Sequence, residues 1–138
     1  MDEALNDDLR IALMRLVRRM RLERADGDLS DGQLSVIFVL WKEGAQTLTS
    51  LSEHERVTPP SMNRTVNALV KAGLATRHPS PDDGRKVVIE ATDAGLEIAR
   101  ETRRRRAAWF AQRLDSLPPE QRDALIVAAP ILRELADS

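Results

Sequence analysis

The stretch LTSLSEHERVTPPSMNRTVNALVKAG, residues 48–73, decides the fold. It holds two helical runs separated by Val57-Thr58-Pro59-Pro60. Thr58 has the side chain of an N-cap, and Pro59 can take the first helical position, where a missing N–H costs nothing. From there Met62, Val66, Leu69 and Val70 recur at steps of three and four until Gly73 stops the run. Two short helices joined by a tight turn make a helix-turn-helix.

Working outward, two β-prone segments follow, Leu74 to His78 and Val87 to Ala91, joined by Pro79-Ser80-Pro81-Asp82-Asp83-Gly84-Arg85-Lys86. They predict a hairpin with a long charged tip. Thr92 can cap a helix from Asp93 to about Ser116, which carries Leu96, Ala99, Trp109, Phe110 and Leu114. Leu117-Pro118-Pro119-Glu120 breaks the chain before a last helix with Leu125, Ala128, Ile131, Leu132 and Leu135. Pro130 lies inside that helix and should kink it or end its hydrogen bonding locally. Upstream, Ser30 and Gln33 form a capping-box pattern ahead of Leu34, Ile37, Phe38 and Trp41, with Gly44 as terminator. Before that, Leu5, Leu9, Leu13, Leu16, Val17 and Met20 mark an amphipathic helix from Leu5 to Arg24. The expected fold is mainly α with a small β element, one domain over 1–138. Its helix-turn-helix and hairpin occupy 30–92, and helical regions 1–29 and 93–138 flank them. The apolar faces of the first and last helices lie outside that centre and need a second copy to cover them, so a homodimer is expected.

Composition sets the outer bounds. The 138 residues, 42% of them hydrophobic, are enough for one cored domain. Lys plus Arg, 21, nearly cancels Asp plus Glu, 22, so placement of charge rather than its total must point to any polyanionic partner. The absence of cysteine excludes disulfides, thiol redox sensing and thiolate metal sites, and two distant histidines make a poor metal set. No apolar run approaches the ~18 residues of a membrane span. Met1-Asp2-Glu3 lacks the basic start of a secretory signal, so a cytoplasmic protein without metal, cofactor or membrane partner is expected.

A helix enters the major groove of DNA only if one face is anchored and the other offers groups that reach phosphates and base edges. Opposite Met62, Val66 and Leu69 stand Pro60, Arg64, Asn67, Ala68 and Lys71, with Ser61 and Asn63 on the shoulders. Alone, this face is equally compatible with a solvated amphipathic helix. The hairpin tip adds Arg85 and Lys86, and Arg85 is the candidate for the adjacent minor groove, with Asp83 placed to orient it through a charge-assisted hydrogen bond. By itself, Asp82-Asp83-Gly84 is an ordinary turn sequence. The run Arg103-Arg104-Arg105-Arg106 covers every face of its helix and reads as solvated, ion-paired surface.

Taken together, residues 48–95 resemble the winged-helix core of the multiple antibiotic resistance regulator (MarR) family. The resemblance rests on Leu51 and Val57, Ser61-Met62-Asn63-Arg64, Leu69, Gly73-Leu74, Arg77, Asp83-Gly84-Arg85, and Thr92 with Gly95. It implies a dimer with first and last helices interleaved, double-stranded DNA as partner, and a wing in which Asp83 and Arg85 serve the minor groove. The DNA-contacting set is then Pro60, Ser61, Asn63, Arg64, Asn67, Lys71, Arg77, Asp83, Arg85 and Lys86. Family members often bind phenolic or other aromatic anions between the dimer region and the winged module. Met14, Met20, Trp41 and Trp109 are the expected lining of such a small-molecule effector site. Three positions depart from the family pattern: Glu55 replaces an apolar residue, Ala91 a leucine, and Pro130 interrupts the last helix.

The resulting expectation is a sequence-specific, dimeric repressor of a pseudo-palindromic operator. The alternative is a winged-helix protein-interaction module, which would want an apolar or acidic surface where Asn63, Arg64, Asn67, Arg85 and Lys86 stand. No Ser/His/Asp set or glycine-rich phosphate loop supports an enzyme, and no catalytic residue is assigned.

Overall fold

The computed structural model describes residues 2–138. In chain order it has α1 (Glu3–Arg21), α2 (Asp31–Glu43), β1 (Gln46–Thr47), α3 (Leu48–Glu55), α4 (Pro59–Lys71), β2 (Ala75–Pro79), β3 (Val87–Ala91), α5 (Asp93–Asp115) and α6 (Pro119–Asp137). The chain forms two compact units, one up to Arg106 and one from Ala107 onward.

In the first unit the helix starts at Ser30, Thr58 and Thr92 carry the caps their sequence called for. The Ser30 hydroxyl accepts from the Gln33 N–H while the Gln33 side chain accepts from the Ser30 N–H, closing the capping box. Thr58 accepts from the Ser61 N–H, with Pro59 at the first helical position. Two caps were not foreseen. Asp2 receives the Ala4 N–H at the start of α1, and Thr47 receives the Ser50 N–H at the start of α3. The helix-turn-helix turn is made by Arg56 in the left-handed region, φ 55°, after which the Val57 N–H bonds the Ser52 carbonyl.

The core lies where α2, α3 and α4 meet the sheet. Leu34, Val36, Ile37, Val39 and Leu40 of α2 join Leu51, Met62, Val66, Leu69, Leu74, Ile89 and Ala99 there. The single face expected for α2 is therefore too narrow: Val36 and Val39 are buried too, because neighbours cover the helix on more than one side. The wing is also not a bare hairpin. β1 adds to it antiparallel, in the order β1-β3-β2, with Gln46 opposite Ile89 and Ala75 opposite Ala91.

One junction fixes the start of α5. The Thr92 N–H bonds the Leu74 carbonyl, the Thr92 hydroxyl donates to the Gly73 carbonyl, and the same oxygen accepts the Gly95 N–H. Gly95 is buried so closely that a Cβ there would sit 2.2 Å from the Leu74 carbonyl oxygen. Gly73, at φ 77°, ends α4 in the conformation only glycine adopts freely.

The expected first helix ends sooner than its periodicity indicated, at Arg21 rather than Arg24. Arg24 instead bonds the carbonyls of Arg21 and Leu29 and pairs with Asp31, stapling the loop that follows. α1 buries none of its side chains; Leu5, Leu9, Leu16 and Val17 are all exposed. In the second unit, α6 runs through Pro130 as one helix, although proline has no N–H to give the Ile126 carbonyl. Its Leu125, Ile126, Ile131 and Leu135 are exposed.

The Gly95 junction is directly testable. Gly95→Ala must push the Leu74 backbone aside and is expected to cost about 3 kcal/mol of unfolding free energy in urea titration. A loss below about 0.5 kcal/mol would mean the junction yields easily.

Candidate nucleic-acid interface

α4 is held by the burial of Met62, Val66 and Leu69, which fixes its rotation about its own axis. Pro60, Arg64, Asn67 and Lys71 consequently form one exposed line, with Asn63 beside it and Ser61 half-buried at the helix start. Among the described residues no carboxylate pairs with Arg64 or Lys71. The cations are left for an external anion.

Arg77 stands on β2 opposite Ile89, on the sheet face shared with Ala75. That face looks toward the core, so one step past the buried Ala75 the Arg77 side chain crosses to α4. There its guanidinium donates to Asn63 Oδ1 at 2.7 Å. On the opposite sheet face His78 Nε2 lies 2.8 Å from Glu90 Oε2, a diagonal cross-strand pair that ties the base of the wing.

At the wing tip, the expected bond from Asp83 to the Arg85 guanidinium is replaced by a main-chain one. Asp83 Oδ1 accepts the backbone N–H of Arg85 at 3.0 Å, and the Asp83 carbonyl accepts the Lys86 N–H. The spacing of two suits an Asx turn, in which a short carboxylate bonds the main chain two residues on. The Arg85 guanidinium has no carboxylate partner among the described residues. Lys86 lies beside Thr47, Leu48 and Thr49, at the capped start of α3.

Glu55, the departure in the helix-turn-helix, is half-buried and accepts the Ser35 hydroxyl at 2.6 Å. A polar partner on α2 thus replaces an apolar contact.

The arginine run divides in two. Arg104 and Arg105 pair with Glu101, whose carboxyl is held below its ordinary pKa first by the hydrogen bond from Arg105. Arg103 and Arg106 instead lie over aromatic rings, each 5.5 Å from a centroid, Arg103 on Trp41 and Arg106 on Phe38. With Lys42 these four line a cavity of about 730 Å³ between α2 and α5. Arg106 also donates to the Glu23 carbonyl, and burial, then the neighbouring charges of Arg24 and Arg21, lower its pKa. The cavity is aromatic and strongly electropositive, with Asp31 as the nearby acid opposing that shift.

Of the four residues expected to line an effector site, only Trp41 borders this cavity. Met14 borders a separate one beside Leu13, Val17 and Arg18, and Met20 borders neither. Six residues apart on one helix, those two methionines point about 120° from each other. Trp109 belongs to the second unit, 6.1 Å from the Phe110 ring and beneath Arg113. Missed in the sequence were Phe38, Arg103 and Arg106. The signal available was the matching spacing of three in Phe38/Trp41 and Arg103/Arg106, which puts each pair on one helix face.

Comparison with known proteins agrees with this geometry. The MarR family model matches residues 29–87. An HTH-type transcriptional regulator of Mycobacterium leprae is 40% identical over 136 residues, covering 99% of this chain and 95% of the relative. The fold matches that of Streptococcus pneumoniae FabT, solved in complex with DNA, with a TM-score of 0.79 at 22% identity over 98% of this chain and 96% of that one. It also matches Bordetella bronchiseptica BpsR, a protein whose DNA binding is regulated by 6-hydroxynicotinic acid, with a TM-score of 0.70 at 24% identity over 99% and 95%. An anchored helix with an unneutralised outer face, a wing of fixed main chain, and a full-length relative at 40% identity lead to one conclusion: the chain belongs to the MarR family of DNA-binding, winged helix-turn-helix transcriptional regulators.

Proposed function

We propose that the protein is a cytoplasmic homodimeric repressor that reads a pseudo-palindromic operator and is released by an aromatic anion. The observation that carries this is the set of cations left without internal partners on one side of the first unit: Arg64 and Lys71 on α4 and Arg85 on the wing. α4 enters the major groove, contributing Pro60, Ser61, Asn63, Arg64, Asn67 and Lys71. Arg85 enters the neighbouring minor groove, Asp83 shapes the loop that presents it, and Arg77 and Lys86 complete the contact set. No helix among the described residues is long and apolar enough to cross a membrane.

Dimerisation follows from the apolar side chains left uncovered on α1 and, separately, on α6. Two recognition helices held at a fixed separation accept only half-sites about 10 bp apart, centre to centre. A ligand that alters the separation disengages one of them. Binding-site selection from random duplex DNA tests the reading as a whole, with an inverted repeat as the expected product. Light scattering should give twice the 15.4 kDa chain mass at micromolar concentration, and Leu9→Asp with Leu135→Asp should lower it. A well-folded monomer of the unmodified chain would oppose the dimer.

For control, the favoured site is the cavity of Phe38, Trp41, Lys42, Arg103 and Arg106, whose rings and cations suit a planar ligand with one negative charge. Cofactors have no part in this reading. BpsR and its hydroxylated pyridine carboxylate offer a parallel in a protein of the same fold. Salicylate should release the operator complex, and Arg103→Ala should raise the concentration required by about tenfold while leaving operator affinity intact. Equal sensitivity of the two proteins would place the effector elsewhere.

The wing is tested through salt. Arg85→Ala should weaken binding to every operator variant and reduce the slope of log K against log salt by about one counterion. Asp83→Ala, which frees the Arg85 main chain and removes no cation, should weaken binding without reducing that slope. An Arg85→Ala protein with unchanged affinity and slope would make the wing a spectator.

A further inference from the structure

Resting on the DNA-reading role of α4, the hydrogen bond between Arg77 and Asn63 carries a statement about which base is read. A guanidinium has five N–H donors and no acceptor, so the amide atom 2.7 Å from Arg77 has to be the oxygen of Asn63. The amide orientation is thereby fixed by chemistry, and Nδ2 with its two N–H groups is the free end. Both residues are exposed, on adjoining elements of the proposed DNA-facing side.

An unrestrained asparagine reads adenine with both ends of its amide, oxygen from the N6 amino group and nitrogen to N7. Here one lone pair of the oxygen already serves Arg77, and the cation beside it makes the oxygen a poorer acceptor for the positive hydrogens of an incoming amino group. What the pair offers outward is mainly donors, the Asn63 amide N–H groups and the guanidinium N–H groups not used on Asn63, against one remaining lone pair of Oδ1 beside the cation. In the major groove the base edge made only of strong acceptors is that of guanine, N7 with O6. We propose that Asn63 and Arg77 act as one donor-rich element that selects guanine over adenine at a single position of each half-site. In it Asn63 contacts the base, and Arg77 is the positioning residue that sets the amide's orientation.

The test uses the full-length protein and the operator obtained by selection. Each guanine is replaced in turn by adenine and by 7-deazaguanine, which lacks the N7 acceptor. One guanine per half-site should lose about tenfold in affinity on either replacement with the unmodified protein, and almost nothing with Asn63→Ala. Arg77→Met should bring guanine and adenine at that position to within about twofold, because the freed amide can turn and pair with adenine. Arg77→Lys, which keeps one donor toward Oδ1, should restore part of the preference, an outcome a purely structural arginine would not give. Equal thermal midpoints for these variants exclude unfolding as the cause. The proposal is overturned if Arg77→Met leaves the guanine preference as it was, or if Asn63→Ala weakens all sequences alike, as a phosphate contact would. Failure of the unmodified protein to select any duplex would instead overturn the DNA-reading role itself.

Discussion

The backbone of α5 passes so close to the Leu74 carbonyl that only a residue without a Cβ can occupy position 95. This approach, with the three hydrogen bonds around Thr92, joins Gly73 and Leu74, which link α4 to β2, to Thr92, which links β3 to α5, and to the first turn of α5. The recognition helix is therefore referenced to α5 through the short main-chain link from Lys71 to Leu74 and a buried contact, not through long flexible side chains. Any displacement of the start of α5 is passed directly to the end of α4. The cavity lined by Arg103 and Arg106 lies further along the same α5, which is the element the proposed effector would contact.

Charge is distributed with a matching economy. The chain is almost neutral, and several of its acids are paired with arginines that serve architecture: Asp31 on Arg24, Glu23 on Arg19, Glu101 on Arg104 and Arg105. These are exposed or half-exposed pairs, each contributing modestly to stability. Their larger effect is on electrostatic potential. On the outer face of α4 no carboxylate among the described residues pairs with Arg64 or Lys71, so a polyanion meets positive charge there despite a formal net charge of -1.

Much of the fold was legible because its signals are local. Ser30 with Gln33, Thr58 before Pro59, Gly73 and Thr92 each mark a helix end through chemistry within a few residues. The outward row on α4 was readable because three buried residues fix the helix's rotation. β1 was not readable: two residues have no period, and Gln46 and Thr47 become a strand only because β3 offers an edge. The division of the arginine run likewise depends on α2 lying against α5, which no spacing within α5 encodes. For Asp83 the right residue was identified and the wrong partner expected, since proximity in sequence favours a main-chain N–H over the far end of a long side chain.

That last feature bears on how such a regulator diverges. Because Asp83 grips the peptide unit of residue 85 and leaves its side chain alone, the shape of the loop and the identity of the group it displays are separately specified. A descendant could exchange Arg85 for another side chain and keep the same loop, or lengthen the reach of the tip without redesigning its turn. In the proposed mode of binding, changes of operator preference at the wing are thus open to single substitutions that leave the Asp83 turn in place. At Asn63 the two positions are coupled, because the helix residue and its strand partner share one bond and a change at either alters the setting of the other. In the proposed interface the tip side chain can thus vary alone, whereas the helix residue and its strand partner cannot be altered independently.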